Sequence, residues 1–129
     1  MRKEIMEKIT GNKNGLQVNL AGMKITDDEI LEVLETIKRL KPTASMIDLD
    51  NNNLSDLGAT ILSKHLSDFK NIEELSLQFN KVGREGAIEL FSLKKVFPNL
   101  DILFHGNKIV NVDEMDEIEH LALGDSLRP

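Results

Sequence analysis

The sequence predicts an α/β fold in which four strand–turn–helix units stack side by side within one domain of 129 residues. The first observation is an internal repeat. The segments VNLAGMKI, IDLDNNNL, LSLQFNKV and ILFHGNKI start at Val18, Ile47, Leu75 and Ile102, which are 29, 28 and 27 residues apart. The second observation is that apolar residues in each unit first alternate and then recur every three or four positions, as a strand followed by a helix requires. Because one strand and one helix cannot enclose a core, the units are expected to stack on one another.

The N-terminal segment, residues 1–15, is predicted to be a helical cap. Ile5, Met6 and Ile9 give this segment one apolar side, which can cover the exposed end of the first unit. The sequence GNKNG, residues 11–15, is typical of a turn and is expected to lead into the first strand.

The first repeat, residues 16–43, is predicted to place a helix directly after its strand. Thr26 or Asp27 is the expected N-cap, and Pro42 prevents the helix from continuing. The apolar residues expected on the inner side of this helix are Ile30, Leu34, Ile37 and Leu40.

The second and third repeats, residues 44–71 and 72–99, agree with each other best. In the second repeat the strand residues alternate inward, and Ser55 takes the N-cap position of the helix that follows. The helical stripe of that repeat consists of Ala59, Leu62, Leu66 and Phe69. The Gly-Ala pairs that both repeats carry early in the helix are Gly58-Ala59 and Gly86-Ala87.

The fourth repeat and the C-terminal cap are assigned to residues 100–129. Asp113 and Glu114 stand where the Gly-Ala pair should be, and the apolar stripe slips by one residue. The apolar residues of this stripe are Val112, Met115, Ile118 and Leu121. The remaining positions of the helix are mostly acidic. The segment is therefore interpreted as a soluble cap, with a docking site for a basic partner as the alternative.

The pattern L-x-L-x-x-N-x-L followed by a Gly-Ala helix resembles the leucine-rich repeat family, in its ribonuclease-inhibitor-like subtype with repeats of about 28 residues. The resemblance extends from Leu16 to Leu123, and the first and fourth units depart from the pattern. It implies a short solenoid, or horseshoe, with a parallel sheet on the concave face and helices on the convex face. In this family the repeat asparagine bonds to backbone groups of the turn, and that role falls on Asn52, Asn80 and Asn107.

Family members bind proteins through the concave face and the adjoining loops, so the resemblance implies a non-catalytic protein-interaction module. The outward strand positions and turn edge of this chain are acidic in the middle and carry a few apolar side chains, which favours a partner with a basic surface. The residues predicted to contact this partner are Met46, Asp48, Asp50, Glu74, Ser76, Gln78, Phe79, Asp101, Leu103 and His105. The alternative is a solvated strand face with Phe79 packed at the edge of the solenoid.

The stretch IDLDNNNL also begins like a calcium loop, because Asp48, Asp50 and Asn52 stand at every second position. Such a loop needs glycine at its sixth position and glutamate at its twelfth. Asn53 and Ala59 occupy those two positions. The strand interpretation is therefore preferred, and no metal or other cofactor is predicted.

Two weaker alternatives would make the chain a hydrolase or a metal-binding protein. Ser76, His105 and Asp50 could form a hydrolytic group, but no Gly-x-Ser-x-Gly turn presents the serine as a nucleophile. His120 stands close to acidic residues on one helix, a spacing that could hold a metal loosely. A charged, solvated helix face is the preferred interpretation of His120, and the chain is not predicted to be an enzyme.

The composition of the chain narrows the classes of partner and the cell compartments that are expected. The net charge of −6 argues against nucleic acid as a partner, and the absence of cysteine fits a reducing compartment. No apolar run reaches the ~18–20 residues that a membrane-spanning helix needs. We therefore expect a monomer in the cytoplasm, or in a host cytosol if the chain is a secreted bacterial effector. A structural scaffold, or a fragment of a larger sensor or effector protein, is the alternative from a different class.

Overall fold

A computed structural model of the protein describes residues 1–11, 15–109 and 111–124. The helices and strands of this part of the chain are α1 (Lys3–Gly11), β1 (Gln17–Asn19), α2 (Asp27–Leu40), β2 (Met46–Asp48), α3 (Asp56–Leu66), β3 (Glu74–Ser76), α4 (Arg84–Phe91), β4 (Asp101–Leu103) and α5 (Val112–Leu123). A short 3-10 helix, Ser92–Lys95, follows α4. Most of the predicted GNKNG turn lies outside the described residues, as do positions 110 and 125–129 of the predicted C-terminal segment.

The four strands form one parallel sheet in the order β1-β2-β3-β4, so each unit lies beside the unit that precedes it in the chain. The register places Val18 beside Ile47, Ile47 beside Leu75, and Leu75 beside Ile102. These are the residues at which the four repeated segments begin, so the sequence repeat and the strand register agree. The predicted α/β class with a parallel sheet is confirmed, and the arrangement is compatible with a leucine-rich-repeat-like fold.

The helices cover one side of the sheet and share a single apolar core with it. The middle residue of each strand is at most 8% exposed, and all five α-helices contribute buried apolar side chains. Ile5 and Ile9 of α1 are fully buried, and α1 packs on β1 and α2, so it covers the first unit. Each fully buried aliphatic side chain contributes about 1.5–3 kcal/mol. Apolar burial between neighbouring units is therefore the main force that holds the stack together.

The helix of the first unit has a well-defined start and end. Thr26, rather than Asp27, is the N-cap, and its N–H donates to Glu29 Oε1 at 3.2 Å. The helix ends at Leu40, before Pro42. Leu40 is 37% exposed, so its predicted inward position is wrong. It is the last residue of α2 and lies about 80° around the helix axis from the buried Ile30.

The apolar face of α5 differs from the predicted stripe. Ile118 and Ala122 are buried, whereas Leu121 is 51% exposed and Val112 is 75% exposed. Successive residues of an α-helix are about 100° apart, so a face centred on Ile118 and Ala122 turns Leu121 towards solvent. The prediction placed Leu121 on the buried face because leucine is a stronger apolar signal in a sequence than the neighbouring alanine.

Asparagine side chains join each turn to the turn of the preceding unit. Asn80 accepts the N–H of Leu54 at 3.0 Å and donates to the carbonyl of Leu49 at 2.9 Å. Asn52 and Asn107 make equivalent bonds to the units before them. All three asparagines are at most 8% exposed. They satisfy buried backbone groups in the turns, which would otherwise be costly to remove from water.

Two aspartates form a second row of links, which the repeat pattern did not predict. Asp27 accepts the N–H of Ser55 at 2.9 Å, and Asp56 accepts the N–H of Gly83 at 2.6 Å. The carboxylate of Asp27 has room because a glycine stands opposite it: a Cβ added to Gly58 would lie 2.4 Å from Asp27 Oδ1. The glycine of the Gly-Ala pair therefore makes space for a link between neighbouring units.

Candidate binding surface

The open face of the sheet is the side that faces away from the helices. The predicted partner-binding residues lie in rows across the strands, because the register aligns them. One row is Met46, Glu74 and Asp101, and the next is Asp48, Ser76 and Leu103. Directly after the strands come Asp50, Gln78, Phe79 and His105.

Asp50 joins the second and third units on the open face. Its Oδ1 accepts the hydroxyl of Ser76 at 2.6 Å and the N–H of Gln78 at 2.7 Å. Ser76 is only 4% exposed, so the prediction that its side chain is available to a partner is wrong. The ring of His105 packs against Phe79 instead, with the centroids 5.6 Å apart. Ser76, His105 and Asp50 therefore do not form a Ser-His-Asp relay.

Asp48 on the open face has a raised pKa. Its Oδ1 accepts the N–H of Asp50 at 2.9 Å, and Asn19 binds the N–H of Ala21 in the same way in the first unit. Burial raises the pKa of Asp48 and the neighbouring carboxylate of Asp50 also raises it, while the backbone hydrogen bond opposes both. The ionised form of Asp48 is disfavoured on folding, and a cation bound nearby would relieve that cost.

We expect Asp48→Asn to be more stable than the wild type at neutral pH. Asparagine keeps the oxygen that accepts the N–H of Asp50 and removes a charge that the folded state disfavours. Because folding raises the pKa of Asp48, its ionisation lowers stability as the pH rises through that pKa. The advantage of Asp48→Asn should therefore disappear once the pH falls below it. Urea unfolding at neutral and acidic pH measures the difference, and an advantage that does not change with pH would contradict this interpretation.

Phe79 occupies a backbone position that favours glycine. The matching residues of the other units are Gly22, Asn51 and Gly106, and all four have a positive φ between 56° and 82°. This left-handed conformation costs a residue with a Cβ about 1–2 kcal/mol. The side chain of Phe79 nevertheless stays 51% exposed, with His105 against its ring. A strained and half-exposed aromatic residue therefore stands at the edge of the open face.

The charged groups of the open face are acidic. Asp48, Glu74 and Asp101 lie on adjacent strands, and none of the outward strand positions carries Lys or Arg. The IDLDNNNL stretch, considered above as a calcium loop, forms β2 and its turn. Within residues 1–11, 15–109 and 111–124, no three carboxylate or imidazole side chains come close enough to hold a metal ion. The acids form an extended negative surface along the sheet.

A groove beside β4 was not anticipated from the sequence. It has a volume of about 270 Å³ and is mostly apolar. Its lining consists of Phe104, His105, Gly106, Ile109, Asn111, Val112 and Met115. A sequence signal did exist: Val112 and Met115 are apolar residues at the start of an acidic helix, but the predicted stripe assigned both to the core.

Comparison with known proteins relates this chain to others through its fold. No protein-family model and no curated protein matches the sequence. Among solved structures, one titled leiomodin-1 actin-binding site 2 is similar, with a TM-score of 0.71 and 20% sequence identity. The match covers 91% of this chain and 69% of that chain. This likeness concerns the fold alone.

In the part of the chain that the structure describes, every helix is too short or too polar to span a membrane.

Proposed function

We propose that the protein is a non-catalytic protein-interaction module that holds a partner with a basic surface on its open face. The observation that carries this proposal is Phe79. Its backbone conformation is strained, and its ring is half-exposed instead of buried in the core. Strained residues concentrate at functional sites, and aromatic residues often carry most of the binding energy at protein interfaces.

The charge of the open face supports a basic partner. Asp48, Glu74 and Asp101 present carboxylates across three neighbouring strands, and the outward strand positions supply no cation to neutralise them. A lysine or arginine of the partner beside Asp48 would favour the ionised carboxylate that burial disfavours. Electrostatic complementarity of this kind selects the partner and speeds its association.

We further propose a short leucine-rich-repeat solenoid of the ribonuclease-inhibitor-like subtype, with the open face on its concave side. The proposed repeats are residues 16–43, 44–71 and 72–99, followed by a fourth repeat and cap in residues 100–129. The actin-binding role of the leiomodin-1 site supports protein binding as the type of function. The partner proposed here is defined by its basic surface, and the proposed state is a cytoplasmic monomer.

Phe79→Asn should separate binding from folding. Asparagine tolerates the left-handed backbone, as Asn51 does in the second unit. Relief of strain is worth about 1–2 kcal/mol and the lost contact with His105 about 0.5–1.5 kcal/mol, so stability should stay equal or rise slightly. Binding should weaken about thirtyfold, because an aromatic anchor contributes about 2 kcal/mol.

The experiment compares the proteins that immobilised wild type, Phe79→Asn and Leu57→Asn retain from a cell lysate, quantified by mass spectrometry. Leu57 is a matched control because it is apolar, 58% exposed and located on α3 in the helix layer. A protein retained by the wild type and by Leu57→Asn, but lost by Phe79→Asn, supports the proposal. Equal retention by all three, with Phe79→Asn fully folded, would exclude Phe79 as the anchor.

A further inference from the structure

Backbone donors of one unit pair with carbonyls of the next, and this pattern stops at β4. The N–H of Leu77 donates to the carbonyl of Leu103 at 2.8 Å, and the N–H of Phe79 donates to the carbonyl of His105 at 2.9 Å. Earlier units make the same two bonds. In the fourth unit the corresponding donors are Phe104 and Gly106. None of the described residues accepts a hydrogen bond from either N–H.

A third donor lies in line with these two. The N–H of Leu54 binds the side chain of Asn80, and the N–H of Val82 binds the side chain of Asn107 at 3.0 Å. Ile109 holds the corresponding position of the fourth unit. Among the described residues, no asparagine or other side chain accepts its N–H. The edge of the sheet at β4 thus presents a row of three backbone donors.

The apolar groove beside β4 lies next to these donors. Phe104, Gly106 and Ile109 line it together with Val112 and Met115, and its volume is about 270 Å³. Val112 is 75% exposed, although it borders a mostly apolar surface. The first unit differs, because α1 packs against β1 and covers that end. Unpaired strand edges are sites at which another chain adds a strand.

We propose that an extended, basic segment of another protein adds to the sheet as a fifth parallel strand along β4. Its carbonyls accept from Phe104 and Gly106, a side-chain amide accepts from Ile109, and one apolar side chain enters the groove. The charge of α5 argues for basic residues around that apolar side chain. The helix carries no Lys or Arg, and its acidic residues are Asp113, Glu114, Asp116, Glu117 and Glu119. Arg84 of α4 pairs with Glu114 and Glu117, and the helix keeps an excess of negative charge.

The same charge argues against a second copy of this chain as the occupant. Each copy has a net charge of −6 and an acidic α5 beside the same edge, so two copies would repel each other where they meet. The proposed strand addition uses backbone groups of the sheet edge, whereas the open-face site uses outward side chains of the strands. The two surfaces adjoin where Phe79 packs against His105 and Gly106.

Amide hydrogen exchange of the free protein provides the first test. The amides of Phe104, Gly106 and Ile109 should exchange at least about a hundredfold faster than those of Leu77, Phe79 and Val82, their hydrogen-bonded counterparts in the third unit. Slow exchange at the fourth unit, independent of concentration, would show that the chain covers its own edge and would overturn the proposal. Protection that grows with protein concentration would identify a second copy as the occupant and would also overturn it.

The second test uses the synthetic peptide KLKLKGNKI, which copies the strand-and-turn pattern with lysines at the outward positions. A saturating concentration of this peptide should slow the hydrogen exchange of the amides of Phe104, Gly106 and Ile109. The control is the same peptide methylated on the backbone nitrogen of its third residue, which keeps every side chain and charge but removes an N–H that the register directs at the neighbouring strand. Equal binding of the two peptides would mean that attraction is electrostatic only, and the proposed strand addition would be wrong.

Val112→Asp tests the groove. This change adds an acid, so it should strengthen any purely electrostatic attraction of the basic peptide, yet we expect at least a tenfold loss of affinity because the groove loses apolar character. Leu57→Asp is the control, since Leu57 is exposed on α3 away from β4. Unchanged or tighter binding by Val112→Asp would contradict the proposal. Met46→Ala, an uncharged change on the open face at β2, should bind this peptide normally, which distinguishes the edge from the open-face site.

Discussion

Asn80→Ala is expected to lower the free energy of unfolding by about 3 kcal/mol. The side chain is 7% exposed, accepts the N–H of Leu54 and donates to the carbonyl of Leu49. Alanine leaves both backbone groups buried without a partner, and each such group costs about 1–3 kcal/mol. Small domains are stable by only about 5–15 kcal/mol, so this loss would remove a large part of the total.

Urea unfolding measures the effect of Asn80→Ala against a matched control. Asn71 is exposed and lies just before β3, so Asn71→Ala should change stability by no more than about 0.5 kcal/mol. If both variants lose the same free energy, the buried links from asparagine to the preceding turn do not hold the units together.

Gly86→Ala is the second change with a large expected effect, a loss of about 3 kcal/mol or failure to fold. A Cβ at this position would lie 2.7 Å from Asp56 Cα, 2.6 Å from Asp56 Oδ1 and 2.9 Å from Val82 Cγ1. The Cα of Asp56 belongs to the backbone of α3 and cannot rotate away. Because the two helices are closely packed, α3 and α4 must separate to admit the methyl group.

Two further glycines provide graded comparisons for Gly86→Ala. A Cβ on Gly58 meets only side-chain atoms, the closest being Asp27 Oδ1 at 2.4 Å, so rotation of Asp27 can relieve the clash at the expense of its bond to Ser55. Gly11→Ala should be neutral or slightly stabilising, because nothing lies within 4 Å and alanine favours helix α1. Melting temperatures should be lowest for Gly86→Ala and intermediate for Gly58→Ala. A lower value for Gly58→Ala would contradict the assignment of the Gly86 clash to the backbone.

The parallel sheet could be predicted from the sequence because its signal occurs four times. Val18, Ile47, Leu75 and Ile102 recur at nearly constant spacing, and the observed register follows them. The buried face of α5 could not be predicted as well. The sequence of this helix departs from the repeat, so the other helices could not be used to correct the assignment of Leu121 to the core.

The row of aspartate links could not be predicted because its column is interrupted. Asp27 and Asp56 hold equivalent positions in the first two units, but Arg84 takes that position in the third. Arg84 pairs with Glu114 at 3.5 Å and also with Glu117, so the link to the next unit persists with different chemistry. A sequence pattern records residue types, whereas this link depends on which groups face each other.

The acidic character of the open face followed from strand alternation, whereas the contacts within it did not. Ser76 is buried because Asp50 reaches across from the neighbouring unit, and that choice of rotamer is not fixed by alternation. The strain at Phe79 becomes visible only when its φ is compared with those of Gly22 and Gly106. The candidate binding site therefore depends on the local backbone conformation as well as on which residues the strands align.

The most direct test of the open-face site places a photo-crosslinking aromatic, p-benzoylphenylalanine, at Phe79 in one protein and at Leu57 in another. Both positions are about half-exposed, and they lie on the open face and on the helix layer respectively. After irradiation in cell lysate, we predict an adduct with a basic protein from position 79, weaker at high salt because charge attraction is screened. Equal adducts from both positions, or an adduct from position 57 alone, would contradict binding on the open face.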